Sequence, residues 1–147
     1  MSIHIELDGA YVQCASKLCK LPIHLPLVTV EEAKQLPYRM LLTLIEAIDP
    51  PAEVNADGTK LWRDSTGDTH RDYDLPAMIY PQGLLEWMQH GEYARGHDKP
   101  TSIESDGTLY WEEGDGDFHR DGGKPAIISP DGREEYWVHG RKSKKRL

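Results

Sequence analysis

Residues Gly116 to Trp137 read GDFHRDGGKPAIISPDGREEYW, and the reading of this stretch decides the fold. Its middle, His119-Arg120-Asp121, matches the triplet that protein kinases use in a catalytic loop. Its second half is a hairpin in the making. Pro125–Ser129 (PAIIS) is extended and β-branched, as strands prefer. Pro130-Asp131-Gly132 then reverses the chain. Proline presets the first turn torsion and glycine accepts the left-handed position, which predicts a type I turn with a bulge. Arg133–Val138 (REEYWV) returns as the paired strand.

The same pattern recurs through most of the chain. Its turn glycine falls at Gly58, Gly83, Gly107 and Gly132, spaced 25, 24 and 25 residues. Four residues after each stands a large aromatic: Trp62, Trp87, Trp111 and Tyr136, the last followed by Trp137. A second glycine follows at Gly67, Gly91, Gly116 and Gly140. Four residues later comes Arg71, Arg95 or Arg120, and then Pro76, Pro100 or Pro125 and Ile79, Ile103 or Ile128. A fixed period in this range means stacked units that share a core. Alternation along each strand puts Ile79, Ile103 and Ile128 on one face with Ala77, Thr101 and Ala126. Leu85 shares a face with Trp87, and Leu109 with Trp111, whereas Tyr80, Tyr110 and Trp137 point the other way. The expected product is a curved or twisted antiparallel sheet of hairpins with one aromatic-aliphatic face. The GDxHRDxxxP connection holds a glycine turn and a proline, so it should loop along one edge.

Ahead of the repeats, SIHIELDGAYVQCA alternates around Asp8-Gly9, a strong hairpin signal that would put Ile3, Ile5 and Leu7 on one face. Thr29 followed by Glu32 fits a capping box. Pro37 should break or kink the chain, leaving a helix from about Pro37 to Ala47. Tyr38, Leu41, Leu42, Ile45 and Ile48 would be its buried stripe, which is the expected cover for the apolar face of the sheet. The predicted class is α+β, mostly β: an N-terminal α+β unit over 1–52, the repeats over 53–140 (three full units and one partial), and a basic tail over 141–147.

The repeat signature HRDxxxPAxI…DG…W resembles MORN-type repeats in the divergent form found in bacterial and bacteriophage proteins. The resemblance spans about Asn55 to Gly140. The second unit departs from it, with Ala94, Gly96 and Thr101 where the signature has histidine, aspartate and alanine. The resemblance implies a protein-binding or membrane-associating scaffold without an enzymatic reaction. For a bacteriophage protein it suggests an inhibitor of a host defence complex, acting in the cytoplasm of a bacterial host.

Composition narrows the function. The chain has 147 residues, far fewer than a kinase core needs. Its net charge of −8 is uneven: −2 over 1–52, −11 over 53–140, and five bases without an acid in the tail RKSKKRL. The acidic repeats argue against a body that binds phosphates. They permit a partner with a basic surface, or mimicry of DNA in a nucleic-acid-binding groove. No apolar run reaches the length of a membrane span. The sequence opens without signal-peptide features, so a cytosolic setting is expected, with Cys14 and Cys19 as free thiols.

An active site normally occurs once, but Arg71, Arg95 and Arg120 recur in every full unit. They read as structural arginines that donate to backbone carbonyls or to acids such as Asp72 and Asp121, with ligand contact as the alternative. His70 and His119 occupy equivalent positions, yet no cysteine lies near them to complete a zinc set, and they read as structural or surface residues. Cys14 and Cys19, with His4 and His24 nearby, have a loose spacing for zinc and read as idle thiols. Trp62, Trp87 and Trp111 offer either core packing or a stacking platform, and their alternation with leucines favours the core. Tyr80, Tyr110 and Trp137, with the acids Glu112, Glu113, Asp115 and Asp117, are the candidate contacts to a basic partner. The same acids also read as a solvated loop. The tail should be disordered. No nucleophile, metal or cofactor signature supports an enzyme. The expectation is a non-enzymatic protein-binding module, with an acidic DNA mimic as the alternative. An exposed sheet edge would let two copies pair.

Overall fold

The computed structural model describes residues 11–14, 17–20 and 38–144. The chain forms two compact units, Met1–Pro51 and Ala52–Leu147. In the first, strands β1 (Tyr11–Cys14) and β2 (Lys17–Lys20) pair antiparallel, with Tyr11 opposite Lys20 and Cys14 opposite Lys17. Helix α1 (Tyr38–Glu46) falls one residue inside each expected end. Leu42 and Ile45 are buried and Ile48 is half-buried, as its stripe requires. The Asp8-Gly9 hairpin and the Thr29/Glu32 cap lie outside the described residues. No described helix is long and apolar enough to cross a membrane.

The second unit is almost wholly antiparallel β. Its early strands are β3 (Glu53–Val54), β4 (Lys60–Leu61), β5 (Met78–Ile79) and β6 (Leu85–Glu86). The short strands β7 (Met88–Gln89) and β8 (Glu92–Tyr93) follow, then β9 (Ser102–Ile103) and β10 (Leu109–Tyr110). Next come β11 (Glu112–Glu113), β12 (Asp117–Phe118), β13 (Ile127–Ile128), β14 (Glu134–Val138) and β15 (Arg141–Ser143). Nine of them form one sheet in the order β3-β4-β5-β6-β9-β10-β13-β14-β15.

The turns that make this sheet are the predicted ones. Gly58, Gly83, Gly107 and Gly132 all have positive φ, between 90° and 105°. Each donates its N–H three residues back, to Asn55, Tyr80, Glu104 or Ser129, at 2.9–3.0 Å. Where aspartate precedes the glycine, its carboxylate accepts the N–H two residues on: Asp57 from Thr59, Asp106 from Thr108, Asp131 from Arg133.

Each aromatic then divides its strand in two. The N–H groups of Trp62, Trp87 and Trp111 donate to Ala77, Thr101 and Ala126 of the next strand in the sheet. Their carbonyls accept from His70, Ala94 and His119 of their own unit. Beyond the tryptophan the chain leaves the sheet and folds on itself. This gives the β7–β8 and β11–β12 hairpins and, in the first unit, a bridge between Arg63 and Thr69. In the last unit β14 continues without a break and pairs with β15, which places Val138 opposite Arg141 and Tyr136 opposite Ser143. The tail was expected to be disordered from Arg141 onward. Instead Arg141–Ser143 is a strand, because the His139-Gly140 turn directs it onto β14, whose backbone groups it satisfies.

The apolar face follows the alternation in part: Ile79, Ile103, Ile128 and Leu109 are half-buried, and Glu86, Ser102 and Ile127 of the opposite alternation are buried as well. Trp62, Trp87, Trp111, Leu85, Ala77 and Ala126 are all buried, and Ile79 lies opposite Leu85, Ile103 opposite Leu109. Burying a side chain such as Leu85 stabilises the fold by about 1.5–3 kcal/mol. Trp62, Trp87 and Trp111 are at most 7% exposed, which removes the stacking-platform reading.

Candidate functional site

The recurrent arginine comes first, because it orders everything around it. The Arg71, Arg95 and Arg120 guanidiniums lie 3.7, 3.7 and 3.8 Å from the ring centroids of Trp62, Trp87 and Trp111. Each donates Nη1–H to the carbonyl of the proline five residues on: Pro76, Pro100 or Pro125. Two of them also reach the preceding unit. Arg95 and Lys99 bind the Asp74 carboxylate, and Arg120 and Lys124 bind that of Asp98. Trp87 and Trp111 donate their indole N–H groups to the backbone carbonyls of the same two aspartates, at 3.0 Å. This corrects the expected acid partners, Asp72 and Asp121, which pair with histidines instead. Burial pushes the Asp74 carboxyl up, but Arg95 and Lys99 outweigh it and leave it below its ordinary value. The Arg120 hydrogen bond, then Lys124, holds Asp98 at about 2. Asp74 and Asp98 are left-handed, at φ 60° and 55°, and in the third unit Gly123 takes that place without a side chain. The His-Arg-Asp triplet is therefore a joint between units.

The histidines form two matching clusters. The N–H of His90 donates to His70 Nδ1 at 3.1 Å, and that of His139 to His119 Nδ1 at 3.0 Å. The rings stack with centroids 4.2 and 4.1 Å apart. His70 Nε2 meets Asp72 at 2.6 Å and His119 Nε2 meets Asp121 at 2.8 Å. His90 Nδ1 meets Asp64 at 2.8 Å and His139 Nδ1 meets Glu113 at 2.6 Å. The His90 and Thr66 hydrogen bonds hold the Asp64 carboxyl well below the usual range, and the Glu113 hydrogen bond raises His139. Asp64, His70 and His90, and likewise Glu113, His119 and His139, bring potential ligand atoms within 4.8 Å of one another. The tautomers disfavour a metal there. Because Nδ1 of His70 and His119 accepts a backbone N–H, the ring proton sits on Nε2, the nitrogen that faces the carboxylates. A cation at Nε2 would need that proton removed, and stacked rings aim their lone pairs in parallel rather than at one point.

The third constellation lies on the sheet face opposite the tryptophans. Glu86 is 6% exposed and accepts the hydroxyls of Tyr80 and Tyr93, both at 2.7 Å. Its cross-strand partner is Ser102, which with Thr101 donates to Glu112. Burial raises the Glu112 carboxyl, against the pull of those two hydroxyls, and Glu86 raises it further. Burial and the Glu86 carboxylate likewise raise the hydroxyls of Tyr80 and Tyr93. Among the described residues no lysine or arginine forms an ion pair with Glu86 or Glu112. Glu112 also lines a cleft of 490 Å³ with Thr101, Trp111 and the cations Arg95, Lys99, Arg120 and Lys124, which pair with Asp74 and Asp98, so solvent reaches it. The face continues in a row of rings, Tyr110 on Phe118 at 5.7 Å and Phe118 on Trp137 at 5.3 Å.

The predicted contact residues are thus divided. Tyr80 and Glu112 flank Glu86, Tyr110 and Trp137 join the ring row, and Glu113 belongs to a histidine cluster. Asp115 is exposed in the β11–β12 turn and Asp117 at the start of β12. The three aromatics were expected as exposed anchors but are half-buried, since each has a hydroxyl, ring or carboxylate partner. Sequence reasoning missed Glu86, Tyr93, His90 and His139. The signal for the histidines was there: His70 and His119, and His90 and His139, are each 49 residues apart.

Comparison with family models, with curated proteins and with solved structures gives no match to the chain.

Proposed function

We propose that the chain is a MORN-like repeat protein that binds a protein partner and catalyses no reaction, and that its tyrosine-lined acidic face receives a basic segment of that partner. The observation that carries this reading is the pair Glu86 and Glu112. Glu86 is buried and Glu112 half-buried, both are held by hydroxyls, and among the described residues neither forms an ion pair with a lysine or arginine. Burying a charge without a counter-charge is costly, and proteins tend to keep such groups where a ligand supplies the missing partner. A lysine or arginine side chain would complete the charge, and the faces of Tyr80 and Tyr93 would add cation–π attraction. The ring row from Tyr110 to Trp137 offers apolar area for the rest of the segment.

The test is binding of a lysine-rich and an arginine-rich peptide library to the intact protein and to the double variant E86Q/E112Q. The reading expects selected basic peptides to lose at least about tenfold in affinity on the double variant, with a modest salt dependence. Equal affinity for both proteins would overturn it. Competition by duplex DNA for a captured partner would favour DNA mimicry instead.

A further inference from the structure

We propose that His70 and His119 are proton-operated latches: each holds the histidine amide at the hairpin turn of the following unit only while its Nδ1 carries no proton.

The turns concerned are His90-Gly91, between β7 and β8, and His139-Gly140, between β14 and β15. Both are two-residue loops with consecutive positive φ, 51° and 85° in one, 48° and 81° in the other. Histidine in the left-handed region is uncommon and strained. What it gains here is a docking bond, because its own N–H is aimed at the Nδ1 of the neighbouring unit's histidine.

Nε2 of that neighbour already carries a proton toward Asp72 or Asp121. A second proton can enter only at Nδ1, and there it meets the docked N–H. Protonation replaces a hydrogen bond with two donors pointing at each other. Charged groups face both rings. Asp64, Asp68 and Asp72 belong to the first cluster. Glu113 from β11, Asp117 from β12 and Asp121 from the following loop surround the second. Arg120, Lys124 and Lys144 line the adjoining cleft of 390 Å³, and of these Arg120 and Lys124 are already bound to Asp98.

The turn histidines behave differently. His90 and His139 are 70% and 68% exposed at the side chain, and each has its Nδ1 proton on a carboxylate. Their second proton goes to Nε2 without disturbing the latch. The middle junction has no latch. It carries Ala94 and Asp115 at the equivalent places and is joined by Tyr93 N–H on the Gly114 carbonyl at 2.9 Å. The two latched junctions also keep a backbone bond each, Gly91 N–H on the Thr69 carbonyl at 2.8 Å and Gly140 N–H on the Phe118 carbonyl at 2.9 Å, so acid should release the His90 and His139 amides and loosen those two junctions while the third is unchanged.

The experiment uses the intact protein between about pH 8 and about pH 5, the range in which imidazoles titrate. Nitrogen-15 NMR of the rings reads the tautomers, and amide exchange reads the docking bonds as protection factors. The expected result is an unprotonated Nδ1 on His70 and His119 at the upper pH. Protection of the His90 and His139 amides then falls on the order of tenfold at the lower pH, while Tyr93 keeps its protection. Nδ1–H on either latch residue at the upper pH, or equal protection at both pH values, overturns the proposal. In H70N/H119N an amide oxygen takes the place of Nδ1 and cannot titrate. That variant should dock at both pH values, and a surviving pH dependence also overturns the proposal.

Discussion

The Arg95 guanidinium lies 3.7 Å from the centroid of the Trp87 ring, and the same group grips Asp74 of the unit before through two nitrogens. One side chain thus joins packing inside a unit to charge pairing between units. Replacing it should cost more than a surface arginine would. Arg95→Ala loses a desolvated cation–π contact and charge-assisted hydrogen bonds, so a loss of about 2–4 kcal/mol is expected. Arg120→Ala, in the same role, should fall in the range of about 1–3 kcal/mol. Arg95→Lys keeps the charge but not the fork, and should recover only part of the loss. Urea denaturation reads all three, and an unchanged midpoint for Arg95→Ala would contradict this role.

The aspartates at the other end of these pairs set the acid response. Asp74 and Asp98 both titrate below the ordinary carboxylate range, Asp98 at about 2. A carboxyl depressed in the folded state adds stability that is complete above its unfolded value, near 4, and that disappears as pH falls through the folded value. Stability measured from about pH 5 down to about pH 2 should decline more steeply for the native protein than for D98N. Parallel curves would show that the pair contributes nothing, as many exposed pairs do.

Gly140→Ala and Gly107→Ala separate two costs of adding a methyl group. Both glycines have positive φ, 81° and 96°. A Cβ at Gly107 would meet nothing within 4 Å, whereas one at Gly140 would lie 3.1 Å from the Asp117 carboxylate. Gly107→Ala should lose about 1–2 kcal/mol from backbone strain alone. Gly140→Ala should lose more, and D117A should remove the excess. Thermal unfolding of the two single variants and of D117A/G140A measures this, and equal losses at the two glycines would refute the contact.

On the acidic face, stability and binding should move in opposite directions. The Glu112 carboxyl is raised by burial. A carboxyl raised in the folded state favours folding at low pH, and its contribution falls as pH rises from the unfolded to the folded value. Glu112→Gln should therefore be as stable as the native protein or more so at neutral pH, while it weakens capture of a basic peptide. Tyr93→Phe strips a hydroxyl from buried Glu86 and should cost about 1–3 kcal/mol. A clear loss of stability in Glu112→Gln would show that its charge is satisfied in a way the geometry does not reveal.

The sheet was legible because its information is local. A glycine that must take positive φ, a proline or aspartate just before it and an aromatic four residues after it specify a hairpin within a few residues. Counting glycines therefore gave the register, and alternation gave the tryptophan face. What joins one unit to the next was not legible in the same way. Asp72 and Asp121 looked like partners of Arg71 and Arg120 because they are adjacent in sequence. The partners of Arg95 and Arg120 are Asp74 and Asp98, 21 and 22 residues earlier, and only the stacking brings them together. Glu86 escaped notice because a glutamate beside Trp87 reads as a solvent-facing strand residue. Burial by Tyr80 and Tyr93 from two other segments is a tertiary fact. Arg141–Ser143 was read from its charge alone, whereas its place is set by the turn before it.

Turn length alternates along the repeats. The first and third units close their outer hairpins with three residues, Ser65–Gly67 and Gly114–Gly116, and the second and fourth with two, His90-Gly91 and His139-Gly140. A short turn always docks on a unit that bears a histidine, and a long one on the unit that bears Ala94. The smallest piece that could be duplicated or excised while every junction still finds its complement is therefore a pair of units, 49 residues long. A lineage that gained or lost a single hairpin would have to rewrite a joint at the same time. The protein is built to lengthen in doublets.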